Sequence, residues 1–193
     1  MNRKALILSV IAFVGVSLGV SLVVGNNTNN DSNMGMNHGA HSMSMGGDEA
    51  MFLQMMIPHH QQAIVISDLA ISISKNEDIL KLANQIKGAQ APEIDQMKSW
   101  LKAAGLGEDP GHSMHAMAGM LTDSQLEQLK NSTGKDFDRQ FLSGMIAHHQ
   151  GAVEMVRMIE NSSDLKLRDF GEQINQSQSS EIAVMKQLLK SIG

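Results

Sequence analysis

The 193-residue chain contains no cysteine and no tyrosine, and its single tryptophan and five phenylalanines make aromatic residues only 3% of the total. Without cysteine, disulfides, thiolate zinc sites, iron–sulfur clusters and thiol nucleophiles are all excluded. The shortage of aromatic side chains removes the stacking platforms that bind single-stranded nucleic acid. A formal net charge of −5 also disfavours a polyanionic partner. We therefore expect no nucleic-acid partner.

Residues 1–25 have the features of an export signal. Arg3 and Lys4 precede an uncharged, mostly apolar run at 5–24. A positive flank before such a run is typical of a signal peptide or a signal anchor, and it predicts that the N-terminus stays inside the cell. We expect the rest of the chain to be exported to the periplasm or the extracellular space. Cleavage after Gly25 and retention of the run as a membrane anchor are both open.

Two further parts follow the export signal. Residues 26–47 are mainly Asn, Ser, Gly, Met and His with almost no charge, a composition typical of a disordered tail. Residues 48–193 are expected to fold, apart from a linker at 105–121 that is rich in Met, His and Gly. Thr122 and Gln125 form a capping-box pattern, which predicts a short helix directly after the linker.

The folding part contains an internal duplication. One match pairs FLQMMIPHHQQAIVI, which begins at Phe52, with FLSGMIAHHQGAVEM, which begins at Phe141. A second match pairs QIKGAQAPEIDQMKSWL, from Gln85, with QINQSQSSEIAVMKQLL, from Gln173. Each copy contains two helical segments separated by a short polar break. Because two helix hairpins can bury their apolar faces against one another, the duplication predicts an all-α four-helix bundle.

Helical periodicity places histidine on the apolar face of the first helix in each copy. At 100° per residue, Met56 and His59 share this face in the first copy, and Met145 and His148 share it in the second. A further histidine follows in each copy and is expected near the edge of the face: His60 and His149. We therefore expect imidazole and thioether groups close together in the core.

A carboxylate lies in the apolar stripe of each partner helix. Glu93 and Met97 share a face in the first copy, and Glu181 and Met185 share a face in the second. An unpaired carboxylate is costly to bury because it loses its hydration. We therefore expect both glutamates to pair with the neighbouring histidines.

The repeated Met-x-x-His-His pattern indicates a metal site. A single buried histidine is usually a hydrogen-bonded core residue, and methionines at this spacing usually fill core space. Packing alone, however, does not require the pattern twice, each time opposite a glutamate. Di-iron bundles carry Glu-x-x-His on two helices, whereas Met56 and Met145 occupy the position of that glutamate in this chain. A soft thioether favours Cu(I) or Ag(I) over iron.

Two further clusters of methionine and histidine lie outside the predicted helices. The tail reads MGMNHGAHSMSM at 34–45, and the linker reads HSMHAMAGM at 112–120. Neither stretch is expected to form a core, so gap-filling does not explain these methionines. Thioethers take up no proton near neutral pH and should hold a soft ion in mild acid, where histidine fails. The predicted ligands in these clusters are Met34, Met36, His38, His41, Met43, Met45, His112, Met114, His115, Met117 and Met120.

The complete pattern resembles an exported bacterial family of domain-of-unknown-function proteins with paired Met-x-x-His-His helices. The family pattern opens with an acid, which is Asp138 in the second copy and Glu49 in the first, where aspartate is expected. The copies also differ at Ile66, which stands where the second copy has Met155. The resemblance covers residues 48–193. It implies a ferritin-like helical bundle and copper handling outside the cytoplasm.

The sequence thus predicts an exported copper-binding protein that sequesters or transfers Cu(I) and contributes to copper resistance, with Cu(II) and Ag(I) as further candidates. The predicted bundle ligands are Met56, His59, His60, Met97, Met145, His148, His149, Met155 and Met185, supported by Glu93 and Glu181. The expected partners are metal ions and a copper exporter or metallochaperone. Two alternatives are a ferritin-like metallo-oxidase that uses the bundle histidines and glutamates, and a metal-free helical interaction module.

Overall fold

A computed structural model of the chain describes residues 45–109 and 117–192. The secondary structure of these residues is all helical, which confirms the expected fold class. It comprises α1 (Gly47–Ile73), α2 (Glu77–Ala103), α3 (Asp123–Lys130), α4 (Gly134–Val156), a 3-10 turn (Arg157–Ile159) and α5 (Leu165–Ile192). The predicted export signal and all but the last three residues of the predicted tail lie outside the described residues. Within the described ranges, no helix combines the length and the apolar character that a membrane span requires.

Local capping explains where α2 and α3 begin. The backbone N–H of Gln125 donates to Thr122 Oγ1 at 3.3 Å, and the backbone N–H of Thr122 donates to the side-chain Oε1 of Gln125 at 2.8 Å. This is the predicted capping box at the start of α3. The Asn76 side chain caps α2 by accepting the N–H of Asp78 at 3.0 Å. Both predicted hairpin breaks also occur, one between α1 and α2 and one before α5.

The four long helices form two hairpins that pack as a bundle. Helix α1 packs along α2, α4 packs along α5, and the hairpins meet through α1 and α4. The Met-x-x-His-His motifs lie on α1 and α4. The packing therefore brings the two copies of the motif face to face.

The apolar core has two parts. Cluster A includes Ala63 and Met145, and cluster B includes Met56 and Ala152. The histidine pair of α1 lies between Met56 and Ala63 in the sequence, and the pair of α4 lies between Met145 and Ala152. The four buried histidines therefore form a polar layer between the two apolar halves of the core.

Reciprocal hydrogen bonds connect each motif to the turn of the other hairpin. The Ser74 hydroxyl, in the turn between α1 and α2, donates to Asp138 Oδ1 on α4 at 2.6 Å. The Ser162 hydroxyl, in the turn before α5, donates to Glu49 Oε1 on α1. The acid that opens the repeated pattern therefore joins the two hairpins.

Candidate metal centre

Four imidazoles meet at the contact between α1 and α4. The rings of His59 and His148 have their centroids 3.8 Å apart, with 37° between the ring planes. All four histidines, including His60 and His149, are completely buried. The edge position expected for His60 and His149 is therefore wrong, because α2 and α5 extend the core over both rings.

The predicted pairing of histidine with glutamate is present in both halves. His60 Nε2 lies 2.9 Å from Glu93 Oε2, and His149 Nε2 lies 2.7 Å from Glu181 Oε2. The two carboxylates are partly exposed, with 20% and 13% of their side chains accessible. An ionised carboxylate only accepts hydrogen bonds, so the Nε2 atom of each imidazole carries the proton. In the neutral form of each ring, the Nδ1 atom then has a free lone pair.

In a third imidazole, that of His59, Nε2 faces a backbone carbonyl oxygen instead of a carboxylate. His59 Nε2 lies 3.2 Å from the carbonyl oxygen of Ala118, which is an acceptor only. Within residues 45–109 and 117–192, the Nδ1 atoms of His59, His60 and His149 have no hydrogen-bond partner, and neither ring nitrogen of His148 has one. Histidines that bind a metal characteristically donate their other ring N–H to a carboxylate or a backbone carbonyl. Three of the four imidazoles meet this condition.

Burial keeps the two central imidazoles neutral. Desolvation, together with the nearby charge that His60 would carry, lowers the pKa of His59 to about 3. Desolvation, and then the repulsion expected from a charged His59, lowers the pKa of His148 well below its ordinary value of 6.5. A neutral imidazole is the form that binds a metal. Both rings are therefore available as ligands over the whole physiological pH range.

The methionines predicted as bundle ligands are buried and are divided between the two core clusters. Met56, Met97 and Met155 belong to cluster B, and Met145 and Met185 belong to cluster A. In the described part of the chain, no group of three or more His, Asp or Glu side chains is arranged to hold a metal ion. A site in this layer would therefore combine imidazole nitrogens with thioether sulfurs.

The Met/His clusters of the tail and the linker are only partly described. Met117 is 8% exposed and lies in cluster B, and Met45 and Met120 pack partly buried against the same cluster. The expectation that these three residues lie away from a core is therefore wrong, because the end of the linker packs on the bundle and Met45, just before α1, packs against the same cluster. Eight of the predicted ligands lie outside the described residues: Met34, Met36, His38, His41, Met43, His112, Met114 and His115.

Sequence reasoning missed two buried glutamines. Gln90 and Gln178 are each 2% exposed, and their amide atoms have no hydrogen-bond partner among the residues that the structure describes. Each glutamine stands three residues before the glutamate of its copy, one helical turn away from Glu93 or Glu181. The repeat itself carried the signal, because both copies read Gln-x-x-Glu.

A known protein family matches most of the chain. The family model described as "Domain of unknown function (DUF305)" matches residues 49–189. No curated protein matches the chain.

Solved structures with this fold are similar to the chain. A DUF305 protein from Streptomyces coelicolor, inferred to be secreted, is 29% identical with a TM-score of 0.71, over 77% of this chain and 96% of that one. A DUF305 fragment from Deinococcus radiodurans is 30% identical with a TM-score of 0.71, over 76% and 98%. CopM in its Cu(I)-bound form is 32% identical with a TM-score of 0.62, over 76% and 97%. CopM has also been solved with Cu(II) and with Ag.

Proposed function

The chain belongs to the DUF305 family. We propose that it is an exported copper-binding protein that sequesters or transfers Cu(I). The observation that carries the proposal is that three buried imidazoles place Nε2 within hydrogen-bond distance of an acceptor oxygen. Their Nε2–H groups donate to Glu93, Glu181 and the carbonyl of Ala118, so their Nδ1 lone pairs remain for an ion. CopM, a relative with 32% identity, binds Cu(I), Cu(II) and Ag in its solved structures.

The donor chemistry favours a soft monovalent ion. Thioethers and neutral imidazoles suit Cu(I) and Ag(I), whereas iron and manganese prefer several carboxylate oxygens. The two glutamates near the site are engaged by histidine and supply negative charge behind the ligands. A monovalent cation would therefore enter a layer that holds compensating charge without direct carboxylate ligands.

The methionines and histidines of the tail and linker would bind further, exchangeable ions. Their spacing of one to three residues lets a short segment wrap around a soft ion. Met117 and Met120 stand where the linker reaches the bundle, so they would connect these ions to the buried layer. We propose a copper exporter or a metallochaperone as the donor or acceptor, and the periplasm or the extracellular space as the location. Contact with a membrane would come only from retention of the run at 5–24.

Competition for Cu(I) tests the proposal. The purified chain and a Met56→Leu/Met145→Leu variant are titrated anaerobically against a Cu(I) chelator. Loss of two thioethers should weaken the tightest site by about 10-fold or more. Met55→Leu is the matched control, because Met55 neighbours Met56 but is only partly buried. Equal affinity of the wild type and the double variant would contradict the proposed bundle site.

We favour binding over catalysis. The two glutamates hold imidazoles instead of standing free as proton acceptors. Oxygen uptake by the Cu(I)-loaded chain distinguishes the alternatives. Turnover that disappears in Glu93→Gln/Glu181→Gln would establish a metallo-oxidase, and no copper uptake at all would favour the metal-free interaction module.

A further inference from the structure

Equivalent positions of the two repeats carry different residues, Gln62 on α1 and Gly151 on α4. Both contact residues 117–121, a segment that we call the strap. The Gln62 side chain donates from Nε2 to the carbonyl oxygen of Leu121 at 2.8 Å and accepts the N–H of Leu121 at Oε1, also at 2.8 Å. An amide that pairs with both backbone groups of one residue fixes its position and orientation. Gln62 therefore holds the end of the strap against α1.

Gly151 lets the strap lie directly on the backbone of α4. A Cβ atom at this position would be 1.8 Å from the carbonyl oxygen of Ala118, so any side chain would displace the strap. Gly119 on the strap makes the complementary approach. Its φ is +82°, and a Cβ atom there would lie 2.3 Å from the carbonyl oxygen of Ala147. The contact depends on a glycine on each side.

The docked strap makes the two repeats chemically unequal. It directs the Ala118 carbonyl at His59 Nε2, 3.2 Å away. His148 occupies the equivalent position of the second repeat, and both of its ring nitrogens lack a partner within the described ranges. The Ala118 carbonyl of the strap therefore favours one tautomer of His59, and the strap makes no such contact with His148.

We propose that Gln62 and Gly151 are positioning residues of the metal centre. They seat the strap so that the Ala118 carbonyl keeps the proton on His59 Nε2 and leaves Nδ1 to bind a soft monovalent ion. The role of Nδ1 rests on the proposed function, whereas the tautomer is a property of the metal-free chain. His148 is then the adjustable ligand of the central pair.

The tautomer is measured directly in the full chain without metal. With 15N-labelled histidine, the ring nitrogens of His59 should report one form, protonated at Nε2 and bare at Nδ1. Gln62→Leu and Gly151→Ala should each produce a mixture of tautomers at His59. They should also weaken Cu(I) binding about 10- to 100-fold, the usual effect of losing a residue that orients a metal ligand.

Two matched controls accompany these variants. Gln61→Leu replaces an exposed glutamine beside Gln62. Gly88→Ala adds a methyl group at a helical glycine where the described structure leaves space for it. Both should keep a single His59 tautomer and wild-type affinity. Circular dichroism checks that every variant stays helical. If Gly151→Ala unfolds, Gln62→Leu still tests the inference, because it adds no bulk where the strap contacts the bundle.

The outcomes separate the inference from the proposed function. An unchanged His59 tautomer in both folded strap variants, or a wild-type His59 protonated at Nδ1, would overturn the inference even if copper binds. The expected tautomers together with no Cu(I) uptake by the wild type would contradict the copper function and support the strap's effect on His59. Mixed tautomers with weakened Cu(I) binding would support both.

Discussion

His59 and His148, one from each repeat, stack with ring centroids 3.8 Å apart in a fully buried layer of the core. A proton on either ring would create a positive charge that water cannot hydrate and that lies next to other imidazoles. This contact therefore makes the stability of the metal-free protein sensitive to acid.

The free energy of unfolding should fall below pH 6.5. The folded pKa of His59 is about 3 and that of His148 is also depressed, whereas unfolded histidine titrates near 6.5. The unfolded chain thus binds more protons in this window, so stability is complete above pH 6.5 and decreases as the pH falls towards 3. Each ring contributes a loss of about 1.4 kcal/mol per pH unit. Urea unfolding at pH 7 and pH 5 measures it.

His148→Leu supplies the comparison for the acid effect. Because the pKa of His148 is lowered in the folded chain, the loss between pH 7 and pH 5 should be smaller once this ring is gone. The carboxylates contribute the same background in both proteins. Equal losses would mean that His148 takes up its proton in the folded state.

Glu93 should control metal affinity through His60. Glu93→Gln keeps an acceptor for His60 Nε2–H but removes the negative charge, so we expect little change in stability and about a 10-fold or greater loss of Cu(I) affinity. Glu93→Leu leaves the N–H of a buried ring unpaired and should also cost about 1–3 kcal/mol of stability. Chelator competition and urea unfolding measure the two effects. Asp95→Asn, at an exposed carboxylate on the same helix, should change neither quantity.

Replacing a buried glutamine should stabilise the metal-free protein. Gln178→Leu removes two amide atoms that have no partner in the described part of the chain and keeps a similar volume. The expected gain is about 1–2 kcal/mol in the free energy of unfolding. Gln173→Leu, at an exposed position of the same helix, should stay within about 0.5 kcal/mol. A loss of stability at Gln178 would indicate that a buried water or ion pairs with the amide.

The contact between Ser74 and Asp138 should be energetically coupled. Their hydrogen bond is buried, charge-assisted and 2.6 Å long, so a double-mutant cycle of Ser74→Ala and Asp138→Asn should give about 1.5–3 kcal/mol. Copper affinity should be unchanged, because Asp138 joins the hairpins instead of facing the metal layer. Ser72→Ala removes an exposed serine of the same helix end and provides the control. Additive effects of Ser74→Ala and Asp138→Asn would contradict the coupling.

The hairpins and the pairing of histidine with glutamate could be predicted because each follows from a local rule. The 3.6-residue period fixed which side chains face the core, and the cost of burying Glu93 and Glu181 required a partner for each. Both predictions use only the spacing within one helix and the chemistry of the group that becomes buried.

The strap could not be predicted in the same way. The contact of His59 with the Ala118 carbonyl joins residues 59 positions apart through a backbone atom, which leaves no pattern in the side chains. The glycines and the proline of residues 105–121 predict a linker that forms no core, but the close approach of Ala118 to Gly151 brings Met117 into cluster B. The complete burial of His60 likewise depends on the packing of α2 against α1, which the periodicity of α1 alone cannot predict.

The reciprocal contacts between the hairpins have the form of a twofold symmetric dimer. In such a dimer, residue i of one subunit contacts residue j of the other and j contacts i. The pairs Glu49–Ser162 and Asp138–Ser74 obey this rule, and the central imidazoles lie where the axis would pass. The bundle thus has the geometry of two hairpin subunits fused into one chain. The segment that connects the hairpins contains the strap, which touches His59 through the Ala118 carbonyl, so the connection itself breaks the twofold relation between the two halves.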